Sequence, residues 1–182
     1  YNDRMKYLVA SDIHGEATYC RMLMEFYEQE KPNRILLLGD LLSGYSNYTE
    51  REEVAGMLNQ VADSILAVRG NCDDPYGNDD LLFSLDAESE LLELAGKRTF
   101  MTHGHIYGRY NLPPIEGVEI ILHGHTHVPA WEALEGGVLY LNPGSVSLPR
   151  QGSQRSFLIV EDAHCAWYDL ETGYCYHEME LD

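Results

Sequence analysis

The sequence predicts an α/β protein: two packed β-sheets with helices outside, in one domain spanning residues 1–182. Three observations predict this. In the first half, short apolar runs alternate with segments of helical periodicity, the pattern of right-handed βαβ crossovers and a parallel sheet. In the second half, the apolar runs are short and separated by turn residues, the pattern of a second sheet built largely from hairpins. No linker, repeat or low-complexity tract divides the halves.

Taken in order, KYLVAS (6–11) reads as the first strand and ATYCRMLMEFYEQE as a helix, with Tyr19, Leu23 and Phe26 at helical spacing. RILLLGD (34–40) is a second buried run, REEVAGMLNQVAD (51–63) a second helix and SILAVRGN (64–71) a third run. ESELLEL and KRTFMTH then form a hairpin about Ala95-Gly96. VEIILHGH (118–125), GGVLYLNPGS (136–145), SFLIVED (156–162) and CAWYDLE (165–171) are further strands, and the alternating YCYHEMELD closes an edge. Met5-Lys6 reads as a start, which makes Tyr1 to Arg4 an upstream extension.

Thirty acidic against 12 basic residues set the net charge at −18. A duplex nucleic acid is gripped mainly through lysine and arginine on phosphates, so none is expected as a partner. The same charge disfavours docking on anionic lipid. No apolar run approaches the ~20 residues of a membrane span, and no signal-peptide pattern precedes the first strand. A cytoplasmic location is therefore expected. Cys20, Cys72, Cys165 and Cys175 form no CxxC pair, which argues against a disulfide framework or zinc ribbon. Cys165 and Cys175 flank a turn and could meet across it, but free thiols are expected in a reducing compartment.

The polar residues collect where the apolar runs end. Asp12, His14, Asp40 and Asn71 follow the first three runs, and binding sites in open α/β sheets form outside the carboxyl ends of strands. Five of the eight histidines fall in two further clusters, His103 with His105, and His123 with His125 and His127. Imidazole together with carboxylate suits divalent transition metals such as zinc, manganese, iron and nickel. The i,i+2 pairs Asp12/His14 and His125/His127 are expected to leave extended strand exits on one side. One metal would be oversupplied by so many ligands; two sharing a carboxylate fit better.

In this order, DIHG (12–15), GD (39–40), GNCD (70–73), THGH (102–105) and GHTH (124–127) resemble the signature of the calcineurin-like metallophosphoesterases. The resemblance runs from Met5 to about Ser145 and includes LNPGS (141–145). Short length, GNCD and NPGS point to the small bacterial YfcE-type phosphodiesterase branch. The resemblance implies a four-layer αββα sandwich. It implies that Asp12, His14 and His127 hold one metal, that Asn71, His103 and His125 hold another, and that Asp40 bridges them. The implied ions are two, with Mn2+ expected and Zn2+, Fe2+ or Ni2+ as alternatives, and the implied nucleophile is a bridging hydroxide.

Many members of the family it resembles carry histidine after the asparagine, where the resemblance implies that it protonates the leaving group or binds phosphate. This chain has Cys72, a poorer general acid at neutral pH. Cys72 is therefore expected to line the site without holding metal, and His105 is the nearest replacement donor by sequence. His123 reads as a strand-end residue, and Asp73 as a support for the loop. His164 and His177 have no motif context. Tyr45, Tyr48, Tyr107 and Tyr110 are candidates to stack on an aromatic substituent, and the aromatic tail 164–182 is a candidate surface for a homo-oligomer.

The expected function is hydrolysis of small phosphodiesters. Phosphomonoester hydrolysis on the same fold is one alternative. A non-catalytic scaffold like the retromer subunit of this fold is the other.

Overall fold

The computed structural model describes residues 5–44, 46–75, 77–78 and 80–181. Strand β1 (Lys6–Ala10) leads into helix α1 (Ala17–Glu30), strand β2 (Arg34–Leu37), helix α2 (Tyr48–Asn59) and strand β3 (Ile65–Ala67). Eight strands follow: β4 (Ser89–Leu94), β5 (Lys97–Thr102), β6 (Ile120–Leu122), β7 (Ala130–Ala133), β8 (Leu139–Asn142), β9 (Ser156–Glu161), β10 (His164–Asp169) and β11 (Cys175–Glu180).

These strands make two mixed sheets. Six are ordered β11-β10-β9-β1-β2-β3, with β1, β2 and β3 parallel and β9 to β11 antiparallel. Five are ordered β4-β5-β6-β8-β7, with a parallel centre of β5, β6 and β8 and antiparallel edges. The central strands β9, β1 and β2 are buried on both faces, which is why they read as unbroken apolar runs rather than alternating ones. Leu8, Ala10, Ile35, Leu37, Phe157 and Ile159 pack under the helices. Val9, Leu36, Leu38, Leu158 and Val160 point the other way, onto Met101, Ile120, Leu122 and Leu141 of the second sheet.

The outer face of the second sheet carries loop rather than helix among the described residues. Phe100 and Ile121 are buried there, with Tyr107 meeting the Phe100 ring edge-on at 5.7 Å. The two packed sheets form the expected α/β sandwich, with both helices on the first sheet and the segment after β5 over the second.

Helix α2 begins three residues earlier and ends four earlier than its apolar pattern suggests. The start is set by Asn47, whose side chain accepts the Glu50 backbone N–H at 3.0 Å while its amide reaches the Glu50 carboxylate at 3.2 Å. A short 3-10 turn at Ala62–Ser64 takes up the remainder. Asn47→Ala should cost about 1 kcal/mol of stability, seen as a melting temperature lower by about 2–4 °C with an unchanged fold.

The β10–β11 hairpin forms as predicted, but its register sets Cys165 opposite Met179 and Cys175 opposite Tyr168, on different rungs. All four cysteines are free thiols. Within the aromatic tail, Trp167 is core, fully buried and donating its indole N–H to the Asn142 carbonyl at 2.8 Å, whereas Tyr174 is exposed. His177 stacks on Trp131 at 3.7 Å and is structural, and His164 bonds Glu178 and Glu180 on the surface. No helix of the described residues is long and apolar enough to cross a membrane.

The consequence for function is positional. The parallel strands of both sheets discharge their carboxyl ends at one rim of the sandwich, and every motif of the sequence lies on those exits.

Candidate metal centre

Asp12 and His14 leave β1, Asp40 follows β2, Asn71 and Cys72 follow β3, His103 ends β5, and His125 and His127 follow β6. The backbone at these exits is not extended. Asp12, His14, Asp40, His125 and His127 have φ of 57, 51, 53, 65 and 60°, the left-handed region that non-glycine residues rarely occupy. The expectation that i,i+2 spacing along an extended exit aligns the pairs is therefore corrected. Each pair converges because its members are individually turned inward, a conformation costing of order 1 kcal/mol per residue and held by the surroundings.

What holds it is a web of backbone bonds. The N–H groups of Asp12, His14 and Gly15 donate to the carbonyls of Gly39, Asp40 and Leu41, so the first two exits brace each other. Ser145 and Ser147 donate their hydroxyls to the Asp12 carbonyl at 2.9 and 3.1 Å. Asn142 bonds the Gly124 carbonyl and the Thr126 hydroxyl, tying down the loop that carries His125 and His127. The LNPGS motif supplies Asn142 and Ser145, so it signals these supports; Ser147 and Ser11 carry no motif of their own.

Close approach explains two glycines. A Cβ at Gly70 would sit 2.1 Å from Asp40 Oδ1, and one at Gly124 would sit 1.9 Å from Ser11 Oγ. Neither position can hold a side chain without moving a candidate ligand.

Asp73 organises the opposite wall. Its carboxylate is buried and accepts the backbone N–H groups of Asp40, Leu41 and Gly70 at 2.7, 2.9 and 2.8 Å. It supports the loop, as expected, by gathering amides from two strand exits.

The imidazoles share one arrangement. Nδ1 of His14, His103 and His127 lies 2.7, 2.6 and 2.6 Å from the carbonyls of Ser43, Leu38 and Leu148. A carbonyl only accepts, so each Nδ1 carries the proton and each Nε2 presents a lone pair inward. There His127 Nε2 lies 3.2 Å from Asp12 Oδ1 and 3.3 Å from His14 Nε2, which is 3.6 Å from the same carboxylate oxygen. Asp12 Oδ2 is satisfied by Ser11 Oγ and the His125 N–H, but buried Oδ1 makes no hydrogen bond. Three acceptors facing one another at such distances need a cation, and an orphaned buried carboxylate oxygen among imidazoles fits a divalent metal.

The second focus repeats this. His103 Nε2 lies 3.1 Å from Asn71 Oδ1 and 3.3 Å from Asp40 Oδ2. Asp40 Oδ2 is also 3.7 Å from His14 Nε2, so this one oxygen stands between the two foci. Its other oxygen accepts the Cys72 N–H at 2.8 Å, which fixes the carboxylate plane.

In the metal-free protein protons fill this role in part. Burial works against charging His14 and His103, but the Asp12 and Asp40 carboxylates beside them win, and both imidazoles hold a proton to higher pH than usual. Asp12 is likewise pushed up by burial but held well below the usual carboxylate range by His127 and His14. Metal uptake must displace such protons and so weakens as pH falls.

The remaining candidates fall at the margin. His125 is half-buried, its ring 5.0 Å from that of His103. Exposed His105 stands 5.4 Å from the His103 ring and 6.2 Å from that of His125, and burial and His103 hold its pKa below normal. Cys72 is exposed, yet its Sγ lies within 4.8 Å of ligand atoms of both His14 and Asp40, nearer the metal positions than a lining residue needs to be. Burial and the Asp40 charge push its thiol up to about 11, the opposite of what a cysteine nucleophile needs. His123 is buried, stacked on Tyr140 at 3.7 Å and, with its pKa lowered to about 3 by burial, neutral. Tyr48 opens α2 on the surface and Tyr107 packs on Phe100, while Tyr45 lies outside the described residues.

Comparison with known proteins places the chain in a family. The chain is 36% identical to Phosphodiesterase YfcE of Escherichia coli over 163 residues, covering 87% of this chain and 88% of that protein. It is 30% identical over 164 residues to the probable metallophosphoesterase YsnB of Bacillus subtilis, covering 86% and 83%. The solved structure of the E. coli phosphoesterase Yfce superposes with a TM-score of 0.89 at 32% identity, covering 98% of this chain and all of that one. The model of the calcineurin-like phosphoesterase superfamily domain matches residues 5–163, and the chain belongs to that superfamily.

Proposed function

We propose that the chain is a two-metal phosphodiesterase, with Asp12, His14 and His127 at one ion, Asn71, His103 and His125 at the other, and Asp40 between them. The observation that carries the reading is the orphaned Asp12 Oδ1 facing two imidazole lone pairs, together with an Asp40 oxygen shared between two such foci. Two divalent ions supply an activated water and neutralise charge on the phosphoryl oxygens. Mn2+ is the preferred ion.

The protein's own part is positioning. Carbonyls lock three imidazoles in the ligating tautomer, Asp73 sets the Asp40 and Gly70–Asn71 backbone, and the strained strand exits aim the side chains before any substrate arrives. A diester suits the site better than a monoester. The YfcE relative is named a phosphodiesterase; the high-pKa thiol in the loop after β3 favours, in either ester, a leaving group that departs without an acid.

The test uses one leaving group in two esters. Manganese-loaded protein should hydrolyse bis(p-nitrophenyl) phosphate faster than p-nitrophenyl phosphate. Chelation or Asn71→Ala should remove the activity. No hydrolysis of either ester by protein shown to carry manganese contradicts the reading; a faster monoester reaction reverses the substrate assignment.

A further inference from the structure

The outer partners of the two ion positions come from different parts of the chain. At Asp40 and His103 they are the Asp73 carboxylate and the Leu38 carbonyl, from the β3 and β2 exits. At Asp12 and His127 most come from one stretch, residues 145–153 between β8 and β9. Ser145 and Ser147 donate their hydroxyls to the Asp12 carbonyl, and the Leu148 carbonyl faces His127 Nδ1 at 2.6 Å. The Arg150 N–H and the Ser153 hydroxyl donate to the His127 carbonyl at 3.1 and 3.3 Å. This stretch contains no helix or strand, so its shape has to be held from outside.

Arg155, the residue before β9, reaches it. Its Nε–H donates to the Ser147 carbonyl at 3.1 Å. The guanidinium lies 4.1 Å from the centre of the Tyr19 ring on α1, and its Nη1 meets the Glu171 carboxylate, beyond β10, at 3.2 Å. Each of these last two contacts is weak at a partly exposed site, but together they fix the guanidinium plane with Nε toward Ser147. Ser147 is buried, and Arg155 is the only donor to its carbonyl among the described residues. The next carbonyl along the chain is that of Leu148, which keeps His127 in the ligating tautomer. Without the guanidinium, the Ser147 carbonyl regains a partner only by turning its peptide toward water, and that movement shifts Leu148 against His127.

We propose that Arg155 is a positioning residue for the ion held by Asp12, His14 and His127, acting through Ser147 and Leu148, and that the ion at Asn71, His103 and His125 does not depend on it. The inference rests on the two-metal reading and adds to it a residue that touches no metal position.

Stepwise manganese titration and histidine NMR of the full chain test this. Arg155→Ala should weaken one of the two ions about tenfold, the lower end of the effect of an outer partner, and leave the other at wild-type affinity. NMR of the imidazole nitrogens in the metal-free chain, at a pH that leaves them neutral, identifies the site: His127 should lose its single Nδ1-protonated form and His103 should keep it. Asn47→Ala, destabilising but on the α2 cap, should change neither affinity nor tautomer, which separates positioning from general loosening. An Arg155→Ala chain that binds both ions as the wild type does overturns the assignment, as does one in which His103 and His127 lose their tautomers alike. A wild-type chain that takes up a single manganese contradicts the two-metal reading instead; there an unaltered His127 tautomer in Arg155→Ala overturns the link to Arg155 independently.

Discussion

Asp40→Asn should lower diester hydrolysis by on the order of 10³-fold while leaving the fold intact. The substitution keeps the side chain's volume and one acceptor oxygen, so the 2.8 Å bond from the Cys72 N–H can persist. What it removes is the negative charge placed between His103 Nε2 and His14 Nε2. The centre then loses the oxygen common to its two foci, and the ions are held by separate, weaker sets. In the metal-free protein the change is modest, because burial and the Asp12 charge oppose the Asp40 carboxylate and so offset part of the pairing with His103 that holds its pKa below the usual range. Wild type and variant should therefore melt at similar temperatures without metal, and only the wild type should gain strongly from manganese. Steady-state rates and paired melting curves measure both halves of the expectation. A variant with near-native rates would show that Asp40 is not shared between ions.

Asp73→Ala should be the most destabilising single change at the site although Asp73 touches no metal position. It strips partners from three backbone amides, those of Asp40, Leu41 and Gly70. An orphaned buried donor costs about 1–3 kcal/mol. Partial rescue by water brings the sum to about 3 kcal/mol or more, a melting temperature lower by roughly 10 °C for a chain of this size. Metal affinity should fall as well, since the amides that Asp73 gathers carry Asp40 and lead into Asn71. Asp73→Asn, with one carboxamide oxygen left to accept, should lie between. Thermal melts and manganese titrations of both variants check this order; an Asp73→Ala protein as stable as wild type would contradict it.

The strand exits and their polar residues were legible in the sequence because metal chemistry needs particular side chains in particular order. The central strands of the first sheet were legible because burial on both faces keeps their interiors apolar. Other features left no such trace. Strand β7 (Ala130–Ala133) is a half-exposed edge of four residues, AWEA, with too little alternation to announce itself. The acceptors that fix the histidine tautomers are the carbonyls of Ser43, Leu38 and Leu148, and a carbonyl has no residue identity to read.

The left-handed backbone at Asp12, His14, Asp40, His125 and His127 was hidden for a related reason. Glycine is the residue that signals such a conformation, and ligating positions cannot be glycine. The layer over the outer face of the second sheet left no periodic trace because the segment 103–119 encodes turns, with Gly104, Gly108 and Gly117 through it.

The count of ions per chain tests the central claim most directly. Protein saturated with Mn2+, freed of excess metal and assayed for manganese by elemental analysis should carry two ions per chain, and Asp12→Ala should carry fewer. A wild-type protein that holds one ion or none under those conditions would contradict the two-metal centre.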